Sequence, residues 1–152
     1  MLPHMKTVGL QCSPEIKFSY GGKIGNTLNS HRLVTYSKQF NKSNECVELL
    51  MKYYFEMEKD ISDINVLVEI GDKLNLPKVK AALESKELCE EVNKELKHSR
   101  DSLGVSSVPT FFINEKARIS GGQRPLAFLE QFAKLRIPLL TERIEKEAKK
   151  LE

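Results

Sequence analysis

The sequence predicts an α+β protein, mostly helical, and three observations carry that expectation. Apolar residues recur at helical spacing from Asn26 to Leu103. The texture then changes at Gly104 to a short β-hairpin pattern, and one more helical stretch follows. The length of 152 residues suits one domain, or one small domain carrying an insertion. Chains of about 150 residues bury roughly two-thirds of their unfolded surface, enough for a core.

Residues 1–25 read as an irregular N-terminal segment, because Pro3, Pro14, Gly21, Gly22 and Gly25 punctuate it. Within it, Glu15 to Tyr20 alternates polar and apolar residues and suggests a short extended piece. The Gly21–Gly25 run lacks the spacing of a phosphate-binding loop and reads as a plain turn.

Residues 26–103 form the helical region. Asn26 or Thr27 caps a first helix reaching about Phe40, with Leu28, Leu33, Tyr36 and Phe40 on its apolar side. Asn41 to Asn44 is a polar break. The next helix is the clearest, since Val47, Leu50, Met51, Tyr54 and Phe55 follow helical periodicity. Ser62 and Asp63 offer a cap to a third helix bearing Ile64, Leu67, Val68 and Leu74. Pro77 opens a short fourth. A fifth runs from about Lys86 to Leu103 and ends at Gly104, which has the role of a C′ glycine.

Residues 104–137 differ. Thr110-Phe-Phe-Ile113 reads as a strand, Asn114 to Ala117 as a turn, and Arg118 to Ser120 as a second strand closed by Gly121-Gly122. Pro125 then opens a helix with Leu126, Leu129, Phe132 and Ala133 on one side. Residues 138–152 read as a charged C-terminal helix. A two-stranded hairpin is marginal alone in water, and the sequence offers no other strong strand to extend it. That deficit is the most informative feature of the pattern.

Composition narrows the function. The 24 Lys and Arg against 21 Asp and Glu give a net charge of only +3, too small to argue for nucleic acid. No stretch approaches the roughly 18 apolar residues of a membrane span, and the N-terminus lacks the apolar run of a signal peptide. A cytoplasmic location is the resulting expectation. Cys12, Cys46 and Cys89 form neither a CxxC pair nor a metal cluster with His4, His31 and His98. No metal site and no disulfide framework are expected. Cys46 lies in the first turn of its helix, where the dipole would lower its pKa modestly. Pro109 stands at a strand start, where proline is tolerated. On the residues alone its peptide bond is read as trans, because only about 5% of X–Pro bonds in folded proteins are cis.

Several stretches together resemble the DsbA-like thioredoxin superfamily, most closely its FrnE-like branch, neighbour to the kappa-class glutathione transferases and the 2-hydroxychromene-2-carboxylate isomerases. They are Asn26-Thr27, Ser30 before His31-Arg32-Leu33, Leu49-Leu50 to Tyr54-Phe55, Asp60 to Asp63, Gly104 to Ile113, and Ile119 to Gln123. The resemblance covers about residues 9–133. It implies a helical insertion domain followed by the C-terminal β-hairpin and helix of a thioredoxin-like fold, with an incomplete thioredoxin sheet. The family's N-terminal strand–helix–strand half, which carries the CxxC motif, is expected to be missing.

The resemblance also implies a function of protein-disulfide oxidoreductase type, but dithiol exchange needs an acidified thiolate and a resolving cysteine. No residue is therefore assigned as catalytic, and this chain is expected to be inactive in dithiol exchange. The substrate-side residues implied are Val108, Pro109 as a cis-proline, Thr110, Gly122, Gln123, His31 and Arg32. They would hold a thiol or disulfide peptide, or glutathione as ligand. A plainer reading stands beside this one: Gly121-Gly122 as a turn, Arg32 in a surface ion pair, and His31 packed on a neighbouring helix. The alternative function is a non-catalytic module that binds a partner, or associates with itself through the unpaired hairpin edge, or a glutathione-binding protein of the kappa-like group.

Overall fold

The computed structural model describes residues 2–86 and 88–135. The chain divides into two compact units, residues 1–96 and 97–152, and each is treated by itself. The expected charged helix at 138–152 lies outside the described residues.

The first unit begins with a helix, α1 (Leu2–Cys12), where an irregular segment was expected. Two causes correct that expectation. Proline in a first helical turn costs no hydrogen bond, so Pro3 does not break the helix. Gly9 is also buried, and a Cβ there would stand 2.9 Å from the Phe18 ring and 3.0 Å from Ile16. The glycine lets α1 lie directly on the segment that follows.

That segment, residues 13–27, contains no strand, so the extended piece expected at 15–20 is an unpaired strap. The Ser19 N–H donates to the Phe55 carbonyl at 2.6 Å, and the Lys17 N–H reaches the Glu56 carboxylate at 3.5 Å. The Glu58 carboxylate accepts from the Ser19 hydroxyl and from the Gly21 N–H. Farther along, Lys23 acts electrostatically on Asp60. Alternate strap residues thus meet alternate carboxylates of the 56–60 turn. Gly25 lies against the Ser62 side chain, where any Cβ would collide.

The Ser19 hydroxyl, the Gly21 N–H and the Lys6 charge hold the Glu58 carboxyl below its ordinary pKa. A carboxylate depressed in the folded state stabilises above its unfolded pKa and loses that contribution as pH falls through its folded value. Acid should therefore loosen the strap, and Glu58→Gln should remove that acid sensitivity. Amide exchange at Gly21, followed as pH is lowered, measures it. Equal exchange in both proteins at every pH would show that Glu58 does not hold the strap.

Helices α2 (Leu28–Lys38), α3 (Ser43–Phe55), α4 (Ile64–Lys73), α5 (Val79–Glu84) and α6 (Cys89–Lys97) complete the unit. The Asp63 side chain caps α4 by accepting from the Asn65 N–H at 2.8 Å. Pro77 precedes α5, which starts at Val79 after Lys78 in a left-handed conformation. The core joins Leu33 of α2, Cys46, Leu50 and Tyr53 of α3, Leu67 and Ile70 of α4, and Val79 and Leu83 of α5. Gly71 permits the α4–α5 approach, since a Cβ there would lie 2.5 Å from Val79 Cγ2.

One helix face needs correction. Val47, Met51 and Tyr54 were expected on the core side of α3, but the core takes Cys46, Leu50 and Tyr53. Burial and the Glu69 carboxylate, which accepts from the phenol at 2.7 Å, push the Tyr53 pKa up to about 12.

In the second unit, a π-helical turn at His98–Ser102 leads to Gly104 at φ +60°. Strands β1 (Thr110–Ile113) and β2 (Ala117–Ser120) pair antiparallel, with Phe111 opposite Ile119 and Phe112 opposite Arg118. Among the described residues this is a two-stranded sheet. Asn114 and Glu115, both at positive φ, make the turn. Helix α7 (Pro125–Lys134) has proline in its first turn. The Phe128 ring meets Phe111 edge-on at 5.0 Å; of the residues expected on the packed side, Leu129 and Phe132 are half-buried, whereas Leu126 and Ala133 are exposed. The pairing alternation places Phe128 on the face where Phe111 and Ile119 point.

Candidate functional site

Five of the expected site residues gather at the open end of the hairpin. The Val108–Pro109 bond is cis, and it lies where the chain enters β1. Gly121 N–H donates to the Pro109 carbonyl at 2.7 Å, so the two ends of the hairpin are tied at this point. The Thr110 hydroxyl donates to the Ser107 carbonyl at 2.6 Å and closes the bend before the strand. On the other side, Gly121 at φ +78° turns the chain, and the Gln123 amide donates to the Ser120 carbonyl at 3.0 Å. Gln123 thereby braces the corner into α7. Gly122 has open space where a Cβ would stand.

Val108 is 86% exposed, an unusual state for a valine at the mouth of a strand. Among the described residues its N–H and C=O make no backbone hydrogen bond. An exposed peptide group beside a strand start is able to pair with an extended chain.

His31 and Arg32 belong to the first unit, and the structure separates their roles. Arg32 is 3% exposed, so neither the surface ion pair nor an open substrate contact describes it. Its guanidinium donates to the carbonyls of Ala82 (2.7 Å), Leu83 (2.9 Å) and Ser85 (2.7 Å) and to Asn29 (2.8 Å). Those carbonyls lie at the C-terminal end of α5, where a helix runs out of intrahelical donors, and the Ala82 carbonyl also accepts from the Ser85 hydroxyl at 2.8 Å. Arg32 therefore joins α2 to α5. His31 is exposed and borders a groove of about 360 Å³.

That groove was not legible as a site. Its walls are Ile24 of the strap, Val34 of α2, and Val47, Met51 and Tyr54 of α3, with Ile61 behind them. Ser30 borders it too, but its hydroxyl donates to the Ile61 carbonyl at 2.6 Å. An apolar groove with a few polar groups is the usual form of a small-ligand or side-chain pocket. The signal in the sequence was an excess of apolar residues on α3, more than one core face can use.

The three cysteines stand apart from one another in the sequence and form no disulfide. All three are unpaired: Cys12 is exposed, Cys89 half-buried and Cys46 fully buried. Burial pushes the Cys46 thiol up to about 11, with Ser37 pulling weakly the other way. The expected lowering by the helix dipole is thus overturned, because desolvation in the core exceeds the effect of a first-turn position. Among the described residues no three of His, Cys, Asp and Glu gather in a geometry that holds a metal. No described helix is long and apolar enough to cross a membrane.

A hairpin-and-helix unit together with a helical unit in one chain agrees with the match to known proteins. The DSBA-like thioredoxin domain matches residues 1–133. The chain belongs to this family. A curated relative, the uncharacterized protein YwbO of Bacillus subtilis (strain 168), is 27% identical over 82 residues. That stretch covers 53% of this chain and 41% of YwbO, so the chain spans about two-fifths of the relative.

Proposed function

We propose that this DSBA-like chain, of the FrnE-like branch, grips an extended thiol or disulfide peptide and does not itself run dithiol exchange. The observation that carries the reading is the bare peptide group of Val108, exposed next to a strand whose far side is already paired. A peptide laid along this edge gains backbone hydrogen bonds without regard to its sequence, as strand addition does. The chemistry of exchange is a separate requirement. It needs a low-pKa, accessible thiol, and Cys46 has neither property. Cys12 is accessible, but Glu15 stands three positions on, where a CxxC pair would place its resolving cysteine.

Glutathione at the Gly122–Gln123 corner is the weaker variant of this reading, because Gln123 already spends an N–H on Ser120. The test is a titration of the protein with an unstructured cysteine-containing peptide, followed by amide shifts, together with an insulin-reduction assay. We expect shifts centred on Val108 and no turnover above the dithiothreitol background. Turnover above that background would refute the non-catalytic part, and an undisturbed Val108 would refute the gripping part.

A further inference from the structure

We infer that the cavity between the strap and the end of α3 binds the quaternary ammonium group of a free small molecule. The inference concerns the first unit alone and needs neither the Val108 bend nor a thiol.

The cavity measures about 210 Å³ and is lined by Ser19, Tyr20, Gly22, Ile24, Tyr54 and Phe55. Drug-sized ligands fill pockets of about 300–1,000 Å³, so this one suits a compact group. Half of its lining residues are aromatic, and the Phe55 ring is their common neighbour. The Tyr20 ring centre lies 6.4 Å from that of Phe55, with the ring planes at 74°. Tyr54 lies 4.8 Å from Phe55, at 80°. Rings set so steeply wall a box, whereas parallel rings would leave a slot.

The box is braced from behind and along the strap. The Phe18 ring packs on Tyr20 at 6.2 Å and on Phe55 at 5.9 Å, and Gly9 of α1 lies against Phe18. Hydrogen bonds hold the strap on both sides of Tyr20. Ser19 N–H donates to the Phe55 carbonyl at 2.6 Å, and Gly21 N–H donates to the Glu58 carboxylate at 2.9 Å. Walls already in place leave little ordering to be done when a ligand enters.

The electrostatics favour a cation. Aromatic faces attract cations through the ring quadrupole. Among the described residues, Lys73 lies over Tyr53 and Arg118 over Phe112, and the chain places no cation of its own over Tyr20, Tyr54 or Phe55. Glu58 adds negative charge next to the cavity. Its carboxylate accepts from the Ser19 hydroxyl, and a Cβ on Gly22 would stand 3.1 Å from its Cα. Lys6 and Lys23 act on Glu58 and Asp60 and offset part of that charge, but neither lines the cavity. The negative end of the α3 dipole also falls here, since the helix ends at Phe55. The lining then selects a quaternary over a primary ammonium. A primary ammonium brings three N–H donors that need acceptors once water is lost, and the Ser19 hydroxyl already serves Glu58. A quaternary group has no N–H to satisfy and meets the rings with methyl groups.

The test titrates the full chain with choline and follows amide shifts by NMR. Saturable shifts at Tyr20 and Gly22 are expected, with half-saturation at roughly 0.1–1 mM. The uncharged analogue 3,3-dimethylbutan-1-ol should bind at least about tenfold more weakly, the factor that a cation–π attraction of about 1.4 kcal/mol supplies. Ethanolamine, a primary ammonium, should be weaker by at least about the same factor. Tyr20→Leu removes one wall and should weaken choline binding about tenfold, whereas Tyr20→Phe keeps the ring and should stay within about threefold. The absence of saturable shifts at Tyr20 and Gly22 up to about 50 mM choline would overturn the inference in the unmodified protein, whether or not the variants fold. Equal affinity for choline and for either analogue would overturn it too. So would unchanged choline binding in a folded Tyr20→Leu protein, or a folded Tyr20→Phe protein that binds no better than Tyr20→Leu.

Discussion

Arg32→Ala is expected to destabilise the first unit by roughly 3–5 kcal/mol, because it strips a charged donor from several buried carbonyls at once. The guanidinium holds Ala82, Leu83 and Ser85 at the end of α5 and is braced by Asn29. Hydrogen bonds to charged groups contribute about 1.5–3 kcal/mol, and a buried acceptor left bare costs about 1–3 kcal/mol; the Ala82 carbonyl alone keeps the Ser85 hydroxyl at 2.8 Å. Part of that loss is recovered when water enters behind a shortened side chain. Arg32→Lys should recover little, since an ammonium on a flexible stem does not span the fork that the planar group fills. Thermal unfolding measures both variants, and a fall of about 10 °C or more is expected for alanine. A change within 2–3 °C, the shift that about 1 kcal/mol produces, would show that the carbonyls are satisfied without Arg32.

The second large effect concerns thiol reactivity. Cys46 should react with iodoacetamide at pH 8 at least about 100-fold more slowly than Cys12 in the folded protein. Its thiol is moved from an ordinary 9.0 to about 11, and two pH units remove roughly 99% of the thiolate. Full burial adds an access barrier, because the reagent meets Cys46 only when the α2–α3 contact opens. Mass spectrometry of the alkylated protein over time separates the cysteines, and denaturant should equalise their rates. Equal rates in the native protein would mean that the Cys46 pocket is open, and would restore it as a candidate reactive thiol.

Much of the local structure is legible in the sequence because it depends on near neighbours. The periodicity around Leu67 and Ile70, the cap at Asp63, the glycine stop at Gly104 and the Thr110–Ile113 strand all rest on contacts within a few residues. The helix at Leu2–Cys12 was hidden because it depends on Gly9 meeting Phe18, a contact the local pattern does not contain. The groove was hidden for a different reason. Val47 and Met51 satisfy the rule for a buried face, and periodicity does not say which of two apolar faces of α3 the neighbouring helices cover. Arg32 beside His31 reads as a polar pair, and only packing divides it into a buried strut and an exposed rim residue.

The order of residues was sufficient to determine a mostly helical chain with a terminal hairpin and helix and the lack of a CxxC motif. These follow from spacing and from the conformational limits of single residues. The tertiary structure decided which cysteine is buried, which cation is structural, where the apolar groove lies, that the Val108–Pro109 bond is cis, and that Val108 is exposed beside it. Those outcomes depend on desolvation and on hydrogen-bond partners dozens of residues away, and such quantities exist only once the chain has closed on itself.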